Sequence, residues 1–327
     1  MEYTTLGNTG LSVSRICLGC MSFGSSEWQE WVLNEEESKE IVERAIDLGI
    51  NFFDTANVYS MGESERILGN VLDEYDRESQ VVATKTHPRY TPESYPPGKG
   101  NGLSRKAVEQ DISHSLERLG MDTVDLYQIH RWDYNTPIET VLETLDDLIR
   151  RNQVRYIGAS SMWAYQFAEA LQTSERRGLE QFATMQNHYN LVYREEEREM
   201  LPLCEREDIG VIPWSPLAQG YLTRPHEELT TTTRGETLED RHEEYRSGGG
   251  PIINERVAEL SDEYDASMAQ ISLAWLLGKD AVDAPIIGTT SVEHLEDAVE
   301  AVELDLDDSD VAWLEEPYEP LPVSGHE

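Results

Sequence analysis

The chain has 327 residues and a mass of 37.2 kDa, of which 39% are hydrophobic and 28% charged, with a mean hydropathy of -0.55. That length supplies a real core under a polar surface, as one large α/β domain or two smaller ones. A formal net charge of -38, from 64 acidic against 26 basic residues, repels phosphate backbones and anionic lipids and excludes nucleic acid and membrane surfaces as expected partners.

The acids are spread through runs at 35–37, 195–197 and 305–308, each of which reads as a solvated face. Summed, they resemble the balance of proteins from salt-loving cytoplasms, where salt screens self-repulsion. Three cysteines, Cys17, Cys20 and Cys204, form no even disulfide framework and no paired zinc spacing. Cys17 and Cys20 have the spacing of a redox motif but lie in a segment that reads as a buried strand entering a turn, so no redox role is expected. No basic region followed by an apolar stretch opens the chain, and no run of about 18 apolar residues occurs. The expectation is a soluble, cytoplasmic, reduced protein, monomeric or a small homo-oligomer.

In chain order, a hairpin is expected around Gly7 to Gly10, followed by strands over 15–19, 51–56, 80–86, 124–130, 154–160, 182–188, 210–215 and 284–289. Helical segments separate them. Asn34 with Glu37 opens one, and Ser104 opens another that carries Val108, Ile112, Leu116 and Leu119. Thr136, Pro137 and Glu139 read as N-cap, first-turn proline and N3 acid of a third, whose buried face is Ile138, Val141, Leu142, Leu145, Leu148 and Ile149. Residues 216–283 separate the last two strands by more than one helix needs, and the polar stretch 224–251 reads as a long loop over the mouth of the fold. Eight strands alternating with helices predict a single (β/α)₈ TIM barrel across 1–327. A doubly wound sheet competes, but the first strand ends Leu18-Gly19-Cys20-Met21-Ser22-Phe23-Gly24 and lacks the glycine pattern of a dinucleotide turn.

Asp54, Tyr59, Lys85 and His130 fall at or just beyond the C-terminal ends of three successive apolar strands, the end where a parallel barrel builds its active site. Singly, each has an ordinary reading: a capping Asp, a core Tyr, a surface Lys, a structural His. Together they suggest proton chemistry. A metal hydrolase is the rival, since His87, His130 and His188 also lie near strand ends. The first strand has no His-x-His, however, and a lysine–phenol pair has no role there, so no metal is expected.

The stretch Gly49 to Tyr59, the run Gly62 to Gly69, Ala83-Thr84-Lys85, Asp125 to His130, Gly158 to Ser161, Met185 to Asn190 and Pro213 to Ala218 resemble the aldo-keto reductases. The resemblance covers about residues 2–318 and looks closest to the bacterial and archaeal branch of general aldo/keto reductases, related to potassium-channel β subunits. It implies reversible NADPH-dependent reduction of an aldehyde or ketone, NADH being the second candidate. By the same resemblance Tyr59 is the general acid, supported by Asp54, Lys85 and His130. A phenol has an unperturbed pKa of about 10, and the Lys85 ammonium is expected to lower it. A redox-sensing or regulatory subunit with little turnover is the alternative.

The resemblance further places Cys20, Met21, Asp54, Ser160, Ser161 and Gln186 around the nicotinamide, Trp214 against its ring, and Ser215, Pro216, Leu217, Ala218, Gln219 and Gly220 along the pyrophosphate. Gly288, Thr289, Thr290, His294 and Asp297 follow the last strand, where hydroxyls and helix amides can hold a phosphate. Many members carry Lys and Arg at the positions of Gly288 and His294; Arg224 and Arg234 are expected to stand in. Trp28, Trp31, His87 and Trp132 are expected to line the substrate pocket.

The charge balance generates one prediction. If screening of self-repulsion holds the fold, the melting temperature rises as KCl is added; full stability at low ionic strength refutes the halophilic reading.

Overall fold

The structure, a computed structural model, describes residues 1–87, 102–231 and 239–326. A hairpin of β1 (Tyr3–Thr5) and β2 (Ser12–Ser14) opens the chain, antiparallel, with Thr4 opposite Val13. Eight parallel strands follow: β3 (Cys17–Gly19), β4 (Phe52–Asp54), β5 (Val81–Thr86), β6 (Val124–Ile129), β7 (Val154–Ser160), β8 (Thr184–Gln186), β9 (Gly210–Val211) and β10 (Ile286–Gly288). The sheet runs in chain order, with β10 folding back beside β3. At the seam, Asp283 N donates to Val211 O (3.0 Å) and Ile286 N to Pro213 O (2.9 Å), which closes the predicted barrel. Every residue of β5 and β6 is buried, as strands covered on both faces must be, and this includes the polar Thr84, Lys85, Thr86, Asp125 and Gln128.

Helices α1 (Glu35–Asp47), α2 (Glu63–Leu72), α3 (Arg105–Leu119), α4 (Ile138–Arg150), α5 (Ala164–Arg177) and α6 (Met200–Glu207) alternate with the strands. Asn34 accepts from Glu36 N and Glu37 N while Glu37 Oε2 takes Asn34 N, so the expected capping box is present. At α4 the start differs from the expectation. Pro137 is the N-cap, and Thr136 Oγ1 donates to Asp133 Oδ2 (2.6 Å) instead of capping the helix. Asp133 also accepts from Leu103 N and Asn135 N, so it organises the whole turn and takes the threonine for itself.

The stretch between β9 and β10 departs furthest from the sequence reading. The segment expected as a long loop contains a 3₁₀ helix (His226–Thr231) and α7 (Glu239–Ser247), and Arg234 lies outside the described residues. α7 carries no apolar stripe; buried His242 and Tyr245, three residues apart, anchor it. Helices α8 (Gly250–Tyr264) and α9 (Met268–Leu277) complete the connection, and α10 (Val292–Glu300) and α11 (Asp308–Glu315) follow β10. No described helix is long and apolar enough to cross a membrane.

Two apolar clusters separate the layers. The larger lies between sheet and helices. The smaller fills one end of the barrel: Leu6 and Val13 of the hairpin region pack with Phe52, Ala83, Leu126, Ile212, Ala284 and Ile286. Asp283 ties that plug to the sheet by accepting from Gly7 N (3.1 Å) and Val211 N (3.2 Å). Side chains two apart on a strand share a face. Phe52, Ala83 and Leu126 belong to the plug, so Asp54, Lys85 and Gln128 stand inside the barrel one step above it.

Close packing also rests on Gly69 of α2, where an added Cβ would sit 2.4 Å from Leu119 O of α3. Gly69→Ala therefore forces two helices apart and is expected to cost about 1–3 kcal/mol in a urea-unfolding series. An unchanged midpoint would show that this contact is soft.

Candidate active site

The polar residues at the C-terminal barrel end converge as the sequence suggests, and Lys85 is their centre. It is fully buried and spends all three ammonium hydrogens: it is ion-paired to Asp54 Oδ1, donates to Thr55 O (3.0 Å) and donates to Tyr59 OH (3.2 Å). Asp54 Oδ2, itself buried, accepts from Gln128 Nε2 (2.9 Å) and Gln186 Nε2 (3.0 Å). His130 stands edge-on to Tyr59, with ring centroids 5.8 Å apart at 84°. Its Nδ1 is buried without a hydrogen-bond partner among the described residues.

The electrostatics partly overturn the expectation for Tyr59. Burial pushes its phenol above the ordinary value; the Lys85 ammonium pulls the other way but does not prevail, and the Asp54 charge adds to the rise. Lys85 loses some affinity for its proton through burial, yet Asp54 and Tyr59 more than restore it, so it stays charged. His130 is held well below its usual range, by burial first and then by the Lys85, Arg131 and His87 charges. The site at neutral pH thus contains a neutral phenol, a neutral imidazole and a paired ammonium.

A cleft of about 610 Å³ opens above these groups and runs across the barrel end. Asp54, Tyr59 and His130 line its reacting end, with Met21, Ser160, Gln186 and Trp214 beside them. Ser215, Pro216, Leu217, Gln219, Gly220 and Arg224 line the middle, and Gly288, Thr289, Thr290, His294 and Asp297 the far end. Trp214 stacks on His188 (4.2 Å, 13°), which stacks on Tyr193 (4.0 Å, 12°), so one indole face is backed and the other is left for the cleft. Ser215, Ala218 and Gln219 all have φ near +50°, and so do Ser60 and Met61 just after Tyr59. Strained backbone of this kind persists where surrounding structure over-determines it, and here it borders the cleft at two places.

Several expected site residues sit elsewhere. Cys20 and Ala218 are fully buried in the core and do not line the cleft. Ser161 lies behind it, where its Oγ accepts from Trp214 Nε1 (3.0 Å). Trp28 is 6.5 Å from the Tyr59 ring and Trp31 6.4 Å from Trp28, while Trp132 packs partly buried against the core; neither these three nor His87 line the cleft. Cys17 and Cys20 are free, buried thiols whose pKa is raised well above the ordinary value, first by burial and then by the Asp54 charge, so neither is a ready nucleophile.

The sequence reading missed Gln128, Arg131, Thr223, His242 and Ser267. Gln128 precedes His130 by two residues, and strand alternation from Leu126 could have found it; Arg131, Thr223, His242 and Ser267 line the cleft from turns and helices that carry no local signal. It also missed the C-terminal segment. Ser324 N donates to Tyr193 OH (2.9 Å), and Gly325, at φ 88°, lies where a Cβ would be 3.4 Å from the Trp214 ring.

The family model described as the aldo/keto reductase family matches residues 15–319. A protein of Schizosaccharomyces pombe named "Putative aryl-alcohol dehydrogenase C977.14c" is 43% identical over 99% of this chain and 97% of its own length. An aldo-keto reductase of Fusarium vanettenii is 40% identical over 100% of this chain and 93% of its own, and the versiconal hemiacetal acetate reductase of Aspergillus parasiticus 41% over 99% and 98%. With the barrel, the cleft and these relatives in agreement, the chain belongs to the aldo/keto reductase family and is an oxidoreductase that interconverts carbonyls and alcohols.

Proposed function

We propose that the protein reduces aldehydes or ketones reversibly with a nicotinamide cofactor, NADPH ahead of NADH, and that Tyr59 delivers the proton. The observation that carries this reading is the Lys85 ammonium: fully buried, paired to Asp54, and 3.2 Å from the phenol oxygen. A group that must give up a proton while buried needs a cation in place before the charge forms.

The donor set of the cleft fits the cofactor. Trp214 offers one open aromatic face, Ser160 and Gln186 offer polar groups beside it, and the far end offers Thr289 and Thr290 at the start of α10. When bound, the reduced nicotinamide supplies hydride to the carbonyl carbon. Tyr59 donates its proton to the carbonyl oxygen as negative charge builds there, and Lys85 stabilises the phenolate left behind. Neutral His130 donates an N–H to the same oxygen and orients it; an imidazolium is excluded at neutral pH by burial and by the cations around it. In the alcohol-oxidising direction the phenolate takes the proton back. Arg224 supports NADPH, as a cation along the cofactor path in a chain with 26 basic against 64 acidic residues.

The relatives' names and the Trp28 ring near Tyr59 favour aromatic aldehydes and their alcohols as substrates. A spectrophotometric panel of aldehydes with NADPH and NADH tests this. Tyr59→Phe is expected to lose about 10²–10⁴-fold in kcat with the fold intact. Because the phenol is held above its usual value, aldehyde reduction should persist through neutral pH and fail only on the alkaline side, while alcohol oxidation should rise with pH. A Phe variant as fast as its parent, or a reduction rate that collapses below neutral pH, refutes the role of Tyr59.

A further inference from the structure

Gln128 is fully buried, lies in β6 between the groups described above, and has no part in the proton transfer. Its Nε2 donates to Asp54 Oδ2 (2.9 Å) and its Oε1 accepts from Gln186 Nε2 (3.2 Å). Gln186 Nε2 also donates to Asp54 Oδ2 (3.0 Å), so the three side chains form a closed triangle across β4, β6 and β8. Both amide hydrogens of Gln186 are then spent inward, and Oε1 is the polar atom it presents to the cleft. The room for this triangle is provided by Gly158, opposite Gln128 in β7, where an added Cβ would be 3.0 Å from Gln128 Cγ and 2.2 Å from Thr184 Oγ1.

We propose that Gln128 is a positioning residue that couples the Asp54–Lys85–Tyr59 chain to the cofactor side of the cleft, by fixing Asp54 and by turning the Gln186 amide so that its oxygen accepts from the carboxamide N–H of the nicotinamide. This rests on the reductase reading above. An apolar side chain at 128 leaves the Gln186 amide free to flip and present a donor where an acceptor is needed. It also removes one of two donors on Asp54 Oδ2, so that the carboxylate draws more strongly on Lys85. A carboxyl at 128 behaves differently. Protonated, it donates to Asp54 as the amide does; ionised, it repels Asp54 and the triangle opens.

The test is calorimetric titration of NADPH into the native chain, Gln128→Leu and Gln128→Glu between about pH 5 and pH 8, with thermal melts of all three. Gln128→Leu is expected to melt cooperatively and bind NADPH about tenfold more weakly at every pH, the loss of one hydrogen bond to a charged or oriented partner. Gln128→Glu is expected to bind like the native chain at the acid end and to approach the Leu variant at the alkaline end, a pH dependence that a space-filling role would not produce. Native affinity in the Leu variant, or no pH dependence in the Glu variant beyond that of the native chain, overturns the proposal and leaves the reductase reading standing. Failure of the native chain to bind either NADPH or NADH overturns both. If the Leu variant does not fold, the Glu variant still decides, because its acid and alkaline states are compared in one protein.

Discussion

A lysine ammonium with no exposed surface, held inside a barrel, dictates most of the geometry at this end of the molecule. An unpaired charge there would cost several kcal/mol, and removing one partner of a buried pair costs about 3–5 kcal/mol. Each of the three hydrogens of Lys85 therefore needs an acceptor, and the chain brings them from one neighbouring stretch: the Asp54 carboxylate at the end of β4, the Thr55 carbonyl, and the Tyr59 hydroxyl a turn later. Delivering the phenol to that third hydrogen bends residues 55–62 sharply. Two consecutive non-glycine residues, Ser60 and Met61, adopt left-handed backbone immediately after Tyr59. The strain beside the reacting phenol thus follows from satisfying an amine on the adjacent strand.

The same pairing divides protons among the site's groups. Burial alone would neutralise Lys85, and Asp54 prevents it; burial is the largest influence on Tyr59 and His130, joined by the Asp54 charge at the phenol and by neighbouring cations at the imidazole, and both stay uncharged. The result is a cation fixed beneath a neutral donor, which is the arrangement an acid needs when its conjugate base must form in a poorly solvated place. The chain's large negative charge does not reach into this arrangement. Among the described residues Asp54 is the one acid at the reacting end of the cleft, and it is paired, while Arg131 and Arg224 line the walls. Surface acidity and cleft chemistry are separate features of one sequence.

Much of this was legible beforehand, for reasons that can be named. The buried parallel strands open on apolar residues such as Phe52-Phe53, Val81-Val82-Ala83 and Val124, so their C-terminal ends are visible, and Asp54, Lys85 and His130 stand there. What was not legible depends on partners distant in sequence. Thr136 looks like a helix cap until Asp133 takes its hydroxyl. α7 looks like a loop because two buried side chains, His242 and Tyr245, replace the usual stripe. The hydrogen bond that Ser161 accepts from the indole N–H of Trp214 joins residues 53 positions apart, and local spacing does not announce it. The direction of the Tyr59 shift required the balance of burial against a single cation, which spacing along a chain does not contain.

The cross-section at the level of Asp54 explains why the cleft runs where it does. Alternate strands of a barrel fill one layer, and here β4, β6 and β8 contribute Asp54, Gln128 and Gln186, joined side by side by hydrogen bonds. The fourth place belongs to β10, and it is Gly288, which registers with Gly19 of β3. Neither glycine supplies a side chain. An added Cβ at Gly288 would meet nothing within 4 Å, whereas at Gly19 it would strike Ile286 Cγ2 at 2.7 Å. The polar layer therefore closes three quadrants and leaves the fourth open, and the cleft leaves through it toward Thr289, His294 and Asp297. The absent side chain at Gly288 keeps that exit wide, and Arg131 and Arg224, the arginines along the cleft among the described residues, stand on the loops that follow β6 and β9.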